Sequence, residues 1–256
     1  MVKRENQQHK EVLFGLVGKN ISYSFSKGYF NKKLQELYFE NYQYVNFDME
    51  NIEDFSEVVN RYKPSLKGMN VTIPYKEAII LYLDEVDKIV REIGAVNTIK
   101  IDENGKLKGY NTDVIGFEAS IKPLLKEHHT KALILGTGGA SKAIAYVFKK
   151  LHIEFKFVSR KPKNEREISY QSVNHKILEA YTVLVNCSPV GTYPKLEDCP
   201  DIPYAYLTDK HLLYDLIYNP EETLFLAKGK AKGSSVKNGY EMLEKQAEAS
   251  WYIWNT

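Results

Sequence analysis

The sequence predicts an α/β fold made of two units, an N-terminal α/β unit and a doubly wound parallel sheet. Two observations carry this. Short apolar runs alternate with helical stretches along the chain, the succession that builds α/β sheets. In the second half the run Lys131 to Gly136 passes directly into a glycine-rich turn and then an amphipathic helix, the start of a βαβ succession. With 256 residues, the chain has the length of one large domain or two modest ones.

The elements are expected in this order. Leu13 to Gly18 is a short apolar run ending in glycine, a buried strand. Residues 28–38 place Tyr29, Phe30, Leu34 and Leu37 at helical spacing. Tyr42 to Phe47 is aromatic and β-branched, hence a strand, and Ile52 to Tyr62 is a short helix. Gly68 to Ile73 reads as a strand. Pro74 then opens a helix, where its missing N–H costs nothing, with Val86, Ile89, Val90 and Ile93 on one face of the helix that follows. Ala95 to Ile101 and Lys106 to Tyr110 flank Asn104-Gly105, a hairpin signal.

The second unit starts near Asp113. Ile115 to Lys126 is helical, with Pro123 ending or kinking it. After the strand and glycine turn, Ala143, Ile144, Val147, Phe148 and Leu151 form the apolar face of a helix. Phe155 to Val158, Thr182 to Asn186 and Leu212 to Leu216 are strands, with helical stretches near Ser172–Ala180 and Glu221–Lys230. A last helix runs from Gly239 to Trp254, with Leu243, Ala247, Ser250, Trp251 and Trp254 sharing a face. The expected division is 1–112 completed by the C-terminal helix at 236–256, and 113–235.

Composition narrows the function classes. Hydrophobic residues make up 43% and charged residues 27%, which excludes disordered, collagen-like and disulfide-scaffold chains. Lys and Arg number 35 against 33 Asp and Glu, too small an excess for a basic nucleic-acid face. Cys187 and Cys199 form no CxxC pair, and the six histidines show no metal-ligand spacing, so no metal is expected. Met1 to Lys10 lacks the apolar core of a signal peptide, and no apolar run approaches a membrane span. The expectation is a cytoplasmic protein acting on a small molecule, without nucleic-acid or membrane partners, as a monomer or homodimer.

The turn Gly136-Thr137-Gly138-Gly139-Ala140 is a phosphate cradle. Glycines let the backbone approach a pyrophosphate, and the helix N-terminus offers free N–H groups and a positive dipole end. The next strand ends in Ser159-Arg160-Lys161-Pro162-Lys163. An NAD site usually places a carboxylate there for the ribose hydroxyls. Three cations without a carboxylate suit a 2′-phosphate, so NADP is the expected cofactor.

In the first half, polar residues sit where apolar strands end: Ser24 and Ser26, then Asn70, Thr72 and Lys76, then Asn97, then Asn111-Thr112-Asp113. Any one could be a cap or turn residue. Together they resemble the shikimate dehydrogenase family, whose Ser-x-Ser, Asn-Val-Thr-x-Pro-x-Lys, Gly-Ala-Val-Asn-Thr and Asn-Thr-Asp signatures all stand here in order. Asn186 to Gly191, Tyr214 to Pro220, and Gly239 to Leu243 followed by Gln246 are similar to the family's later motifs. The resemblance runs from about Phe14 to Trp254.

The resemblance implies a substrate domain over 1–112 and a Rossmann-like NADP domain over 113–235, with the active site in the interdomain cleft. By position, Ser24, Ser26, Asn70, Thr72, Asn97, Asp113, Tyr218 and Gln246 would hold shikimate, with Lys76 and Asp113 as the catalytic pair. Gly136, Thr137, Gly138, Gly139 and Ala140, with Ser159, Arg160 and Lys161, would hold NADP, and Leu216 and Gly239 would line its nicotinamide end. The implied reaction is reversible reduction of 3-dehydroshikimate to shikimate with NADPH, in the route to chorismate and the aromatic amino acids. Two other readings stay open: an NAD-dependent quinate/shikimate dehydrogenase, disfavoured by Ser24 and the carboxylate-free loop, and a catalytically silent binding module, disfavoured by an intact Lys76 and Asp113.

The chemistry of the residues agrees. Two serine hydroxyls are neutral donors for a carboxylate, set two residues apart in an extended turn. Asn and Thr side chains suit ring hydroxyls. A lysine beside a carboxylate can act as general acid or base. A cation in the first turn of a helix opposes the dipole, so structure alone gives Lys76 little reason to be there. Asp113 could also cap the helix at Val114–Ile121. Two residues depart from the family pattern: Lys27 stands in place of a proline, and Glu241 in place of a small residue.

Overall fold

The computed structural model describes residues 11–22 and 24–256, so the reading of Met1 to Lys10 lies outside the described residues. The chain divides into two units: the segment up to Asn111 together with Ser250–Thr256, and Thr112–Ala249.

The first unit contains β1 (Val12–Gly18), α1 (Phe25–Glu36), β2 (Tyr42–Asp48), α2 (Phe55–Tyr62), β3 (Leu66–Val71), β4 (Glu85–Val86), α3 (Lys88–Ile93), β5 (Thr98–Ile101) and β6 (Leu107–Tyr110). They form a six-stranded mixed sheet in the order β2-β1-β3-β5-β6-β4. β1 lies between β2 and β3, parallel to both. It is buried on both faces, which is why it reads as an unbroken apolar run. β5 and β6 pair as the expected hairpin. Gly105 takes φ +78 in its turn, and the Asp102 carboxylate accepts the N–H groups of Asn104 and Lys106 at 2.9 and 2.8 Å. One core cluster gathers Val17, Leu66, Met69, Ile79, Val96 and Ile99. A separate aromatic group joins Phe14, Phe30, Tyr44 and Trp254, with Phe30 stacked on Tyr44 at 4.6 Å and Phe14 on Trp254 at 4.8 Å.

Pro74 does not open an α-helix. It follows Ile73 through a cis peptide, and the chain turns before a short 3-10 segment at Ala78–Tyr82. Val86 belongs to β4, leaving Val90 and Ile93 as the buried residues of the short α3.

The second unit contains α4 (Asp113–Ile121), β7 (Lys131–Leu135), α5 (Gly139–Lys150), β8 (Glu154–Ser159), β9 (Glu167–Ser169), α6 (His175–Ala180), β10 (Val183–Asn186), β11 (Leu212–Asp215), α7 (Leu224–Lys230), β12 (Ser235–Lys237) and α8 (Tyr240–Asn255). The sheet runs β12-β11-β10-β7-β8-β9, parallel throughout. Strand order reverses between β7 and β10, and the carboxyl ends at such a switch point form the ligand crevice of open α/β sheets. Asn174 and Thr223 cap α6 and α7 by accepting the N–H groups of Ile177 and Leu226, so both helices start later than periodicity suggests.

Helix α8 divides at Ala249. Only Ser250 onward groups with the first unit, where Trp251 and Trp254 meet Phe14. The part of the tail grouped with the first unit thus begins at Ser250, inside the expected segment 236–256. The earlier part of α8 is held in the second unit by Gly116 of α4. A Cβ there would collide with the Met242 carbonyl and come within 3.1 Å of Gln246, so its absence lets α8 approach.

Candidate active site

The first unit gathers polar groups at the ends of β1 and β3. Ser24 is extended and caps α1, its hydroxyl accepting the Ser26 N–H at 3.3 Å. Ser26 therefore stands in the first helical turn and not in an extended turn, because the first serine's hydroxyl satisfies a free helix N–H. Lys27 is exposed in the same turn.

Asn70, on β3, is 4% exposed. Its amide N–H groups reach the Asn97 carbonyl at 3.3 Å, the Thr98 hydroxyl at 3.3 Å and the Ser250 hydroxyl at 2.9 Å. Its amide oxygen accepts the Tyr44 hydroxyl at 2.8 Å. The ring-hydroxyl ligand expected at Asn70 is thus a residue whose amide is engaged at both ends by the protein. Thr72 follows, its N–H on the Val17 carbonyl at 2.9 Å. The Tyr75 hydroxyl anchors the next turn on the Met49 carbonyl at 2.8 Å, and the Lys76 carbonyl accepts the Val96 N–H at 2.7 Å. Lys76, half-buried, is thus tied through its backbone to the residue that precedes Asn97. Lys76 lies in a turn, so the helix-dipole argument for it does not apply. The structure brings Asn70 and Asn97 together through the bond from the Asn70 amide to the Asn97 carbonyl, with Tyr44 on the other end of that amide.

In the second unit Gly136 ends β7 with φ +115, a conformation that suits glycine, and its N–H bonds the Val158 carbonyl at 2.9 Å. A Cβ on Gly138 would meet open space. Gly138 is the N-cap of α5, and no side chain caps that helix. Its first N–H groups are left to a ligand, which fits a pyrophosphate over Gly136, Thr137, Gly138, Gly139 and Ala140. At the end of β8 the Ser159 hydroxyl accepts the Lys161 N–H at 3.2 Å, and Arg160 and Lys161 are exposed. Residues 159–164 hold no carboxylate, which fits a phosphorylated ribose.

Two loops beside this cradle are tied by Asp215, a fully buried carboxylate at the end of β11. It accepts the Asn186 amide at 3.1 Å, the Ile217 N–H at 3.0 Å and the Thr223 hydroxyl at 2.6 Å. Burial pushes its pKa up to about 6 against these three donors. Asn186 in turn accepts the Ser188 N–H and hydroxyl at 3.0 and 2.7 Å. Leu216 and Tyr218 thereby leave a fixed strand end. Gly239 lies under the Leu216 carbonyl, where a Cβ would collide, and its N–H bonds the Ile217 carbonyl at 3.0 Å.

Asp113 is the first residue of α4 and is buried; Thr112 occupies the N-cap position without a side-chain cap bond, so Asp113 does not cap this helix. The Thr112 hydroxyl donates to the Gln246 amide oxygen at 3.4 Å, and the Gln246 amide donates to the Leu243 carbonyl at 3.0 Å. Glu241 pairs with Lys237 at 2.6 Å in the first turn of α8, where a carboxylate suits the dipole. Sequence reasoning missed Tyr44 and Ser250 as polar members of the first unit's site; Tyr44 sits in an aromatic strand and reads as core.

A parallel sheet with an uncapped glycine turn at its switch point, followed by a cationic strand end, defines a dinucleotide-using α/β protein. Residues 16–99 match the family described as the shikimate dehydrogenase substrate binding domain. Over 264 aligned positions the chain is 37% identical to a protein of Methanococcus vannielii named shikimate dehydrogenase (NADP(+)), covering 96% of this chain and 92% of that one. Shikimate dehydrogenase 1 from Peptoclostridium difficile superposes with a TM-score of 0.83 at 38% identity, over 95% and 91% of the two chains. The Thermus thermophilus enzyme, solved in complex with NADP(H) and shikimate, gives 0.82 at 28% identity over 95% and 93%. The chain belongs to the shikimate dehydrogenase family.

Proposed function

We infer that this chain is an oxidoreductase that reversibly reduces 3-dehydroshikimate to shikimate with NADPH, in the shikimate route to the aromatic amino acids. The observation that carries this is 37% identity across both units to a relative bearing that NADP(+)-dependent activity in its name. Among the described residues no helix is long and apolar enough to cross a membrane.

The roles follow from chemistry. Ser24 and Ser26 take the carboxylate, and Thr72 and Asn97 the ring hydroxyls, with Asn70 holding the wall behind them. Tyr218 and Gln246 complete the ring's surroundings. Gly136, Thr137, Gly138, Gly139 and Ala140 receive the pyrophosphate, and Ser159, Arg160 and Lys161 the 2′-phosphate. Leu216 and Gly239 border the nicotinamide. The dinucleotide, when bound, supplies or accepts the hydride. Lys76 gives the proton to the new alcohol oxygen in reduction and takes it back in oxidation, with Asp113 orienting both the lysine and a ring hydroxyl. In this reading the segment up to about residue 112 with the tail is the substrate domain, and the remainder is the NADP domain of a cytoplasmic monomer or homodimer.

The test is direct. Protein mixed with shikimate and NADP+ is followed at the NADPH absorbance. Absorbance growth that requires both compounds is expected; growth with quinate and NAD+ alone would replace this function by the alternative enzyme.

A further inference from the structure

The chain that leaves β1 toward Ser24 is gripped by two side chains of β2. Asn46 and Asp48 stand two residues apart on that strand, so both point to the same side of the sheet. The Asp48 carboxylate accepts the Asn20 N–H at 2.7 Å with one oxygen and the Ile21 N–H at 3.2 Å with the other. The Asn46 amide donates to the Ile21 carbonyl at 2.9 Å. Ile21, itself 3% exposed, therefore has both of its backbone groups held by β2 side chains. Asn20 takes φ +56, in the left-handed region that asparagine enters more readily than most residues, and its bond to Asp48 fastens the chain at that bend.

This clamp reaches the expected substrate groups through one further bond. The Ile21 carbonyl also accepts the Ser24 N–H at 3.0 Å. Ser24 caps α1, its hydroxyl accepting the Ser26 N–H. A serine hydroxyl is one rotatable bond from the backbone, so a pinned backbone confines it to its staggered rotamers. Asn46 is the costlier half of the clamp. Its amide oxygen is buried and has no hydrogen-bond partner among the described residues. A buried acceptor without a partner works against stability, so the bond to Ile21 is what this side chain contributes.

We propose that Asn46 and Asp48 are positioning residues for the substrate's carboxylate, holding the backbone from which Ser24 and Ser26 present their hydroxyls. This rests on the reading that these two serines receive the carboxylate of shikimate. Binding then gains from groups already in place, and loosening the clamp forfeits that gain without changing a group assigned to the ring, the proton or the dinucleotide.

The experiment compares wild type with Asn46→Leu and, separately, Asp48→Asn, each assayed well below its own melting temperature. Asn46→Leu leaves the Ile21 carbonyl its Ser24 partner, and Asp48→Asn changes an exposed side chain that keeps one acceptor oxygen. Shikimate and its methyl ester are each oxidised with NADP+. In each variant the KM for shikimate is expected to rise roughly 3- to 10-fold, the effect of one net hydrogen bond, with kcat and the KM for NADP+ little changed. The neutral ester should suffer less, so the preference for acid over ester shrinks. In a background carrying Ser24→Ala and Ser26→Ala, the same changes should alter kcat/KM by under about 2-fold, since the clamp acts through the serines. An unchanged KM for shikimate in either variant, equal losses for acid and ester, or a full effect in the background without the serines would overturn the proposal. A wild type that does not oxidise shikimate would remove the functional reading itself and the proposal with it; an active wild type matched by either variant removes the proposal alone.

Discussion

The Ser250 hydroxyl accepts the Asn70 amide at 2.9 Å across a separation of 180 positions in sequence, and both side chains are buried. The same hydroxyl lies 2.8 Å from that of Thr98. Four residues further along, the Trp254 indole donates to the Ile99 carbonyl at 2.9 Å. The last turns of the chain are therefore a structural part of the first sheet.

Ser250→Ala removes the shortest of the three bonds of the buried Asn70 amide and leaves it the Asn97 carbonyl and the Thr98 hydroxyl at 3.3 Å. The net loss of one such hydrogen bond costs about 0.5–1.5 kcal/mol. Trp254→Ala removes the indole that meets Phe14, Phe30 and Tyr44, and large aromatic truncations in cores cost about 3–5 kcal/mol. Urea titrations should show both losses, the tryptophan's the larger. A Trp254→Ala protein as stable as wild type would deny the tail this role.

Arg160→Ala should weaken NADPH selectively over NADH. A hydrogen bond to a charged group is worth about 1.5–3 kcal/mol, so the preference should fall roughly 10- to 100-fold. Measured KM values for the two cofactors decide it. Equal losses for both would take Arg160 away from the 2′-phosphate.

How much of this was legible in the sequence depends on how local the cause is. The cradle is legible because β7, the glycine turn and α5 follow one another without a gap, and each signal lies within a few residues. The β5–β6 hairpin is legible for the same reason at Asn104-Gly105. A proline that often starts a helix points to one at Lys76, whereas Tyr75 anchored on Met49 and Val96 bonded to the Lys76 carbonyl hold a turn there. Both partners are distant in sequence. The division of α8 at Ala249 was hidden because it depends on Gly116, far upstream, admitting the helix backbone. Tyr44 was hidden because a strand pattern records that a ring is buried and says nothing of where its hydroxyl goes. The serine, asparagine, lysine and aspartate set was visible as residue types; their partners were not.

Asp215 should make stability fall as pH rises through the acid range. Burial raises its pKa from 3.8 to about 6, so between these values the folded state holds a proton that the unfolded chain has released. The stabilisation is complete below 3.8 and is lost as pH rises through about 6. Asp215→Asn removes this dependence. Denaturant titrations of both proteins from pH 4 to pH 7 should differ in slope with a cumulative size on the order of 3 kcal/mol. Parallel curves would mean that the carboxylate is ionised in the folded protein throughout.

His129 and His211 act in the opposite direction. In each ring Nδ1 accepts a backbone N–H, from Lys126 and Thr208 at 3.0 Å, while Nε2 faces the carbonyl of Lys210 or Leu178. The neutral ring protonated on Nε2 satisfies both partners. Burial lowers both pKa values below 6.5. The unfolded chain therefore binds protons more readily, and stability is lost as pH falls below 6.5. His211→Asn should flatten the acid side of the melting-temperature profile relative to wild type. An unchanged acid slope would show that His211 does not contribute.

Lys76→Ala tests the proton transfer. If Lys76 supplies the proton, kcat should fall by roughly 10²- to 10⁴-fold, the usual contribution of a positioned acid or base. KM for shikimate should move much less, and the structure says why. The turn that carries Lys76 is held by backbone groups and by Tyr75, through the Val96 N–H and the Met49 carbonyl, so truncating the side chain leaves the turn in place. In the proposed reading Ser24 and Ser26 still hold the carboxylate and Asn97 a ring hydroxyl. A loss in kcat with little change in KM marks an interaction that strengthens only in the transition state. Asp113→Asn should cost rate together with some binding, because Asp113 is assigned both the lysine and a ring hydroxyl. A Lys76→Ala protein with unchanged kcat and a large rise in KM would reduce Lys76 to a binding residue and leave the proton to another group.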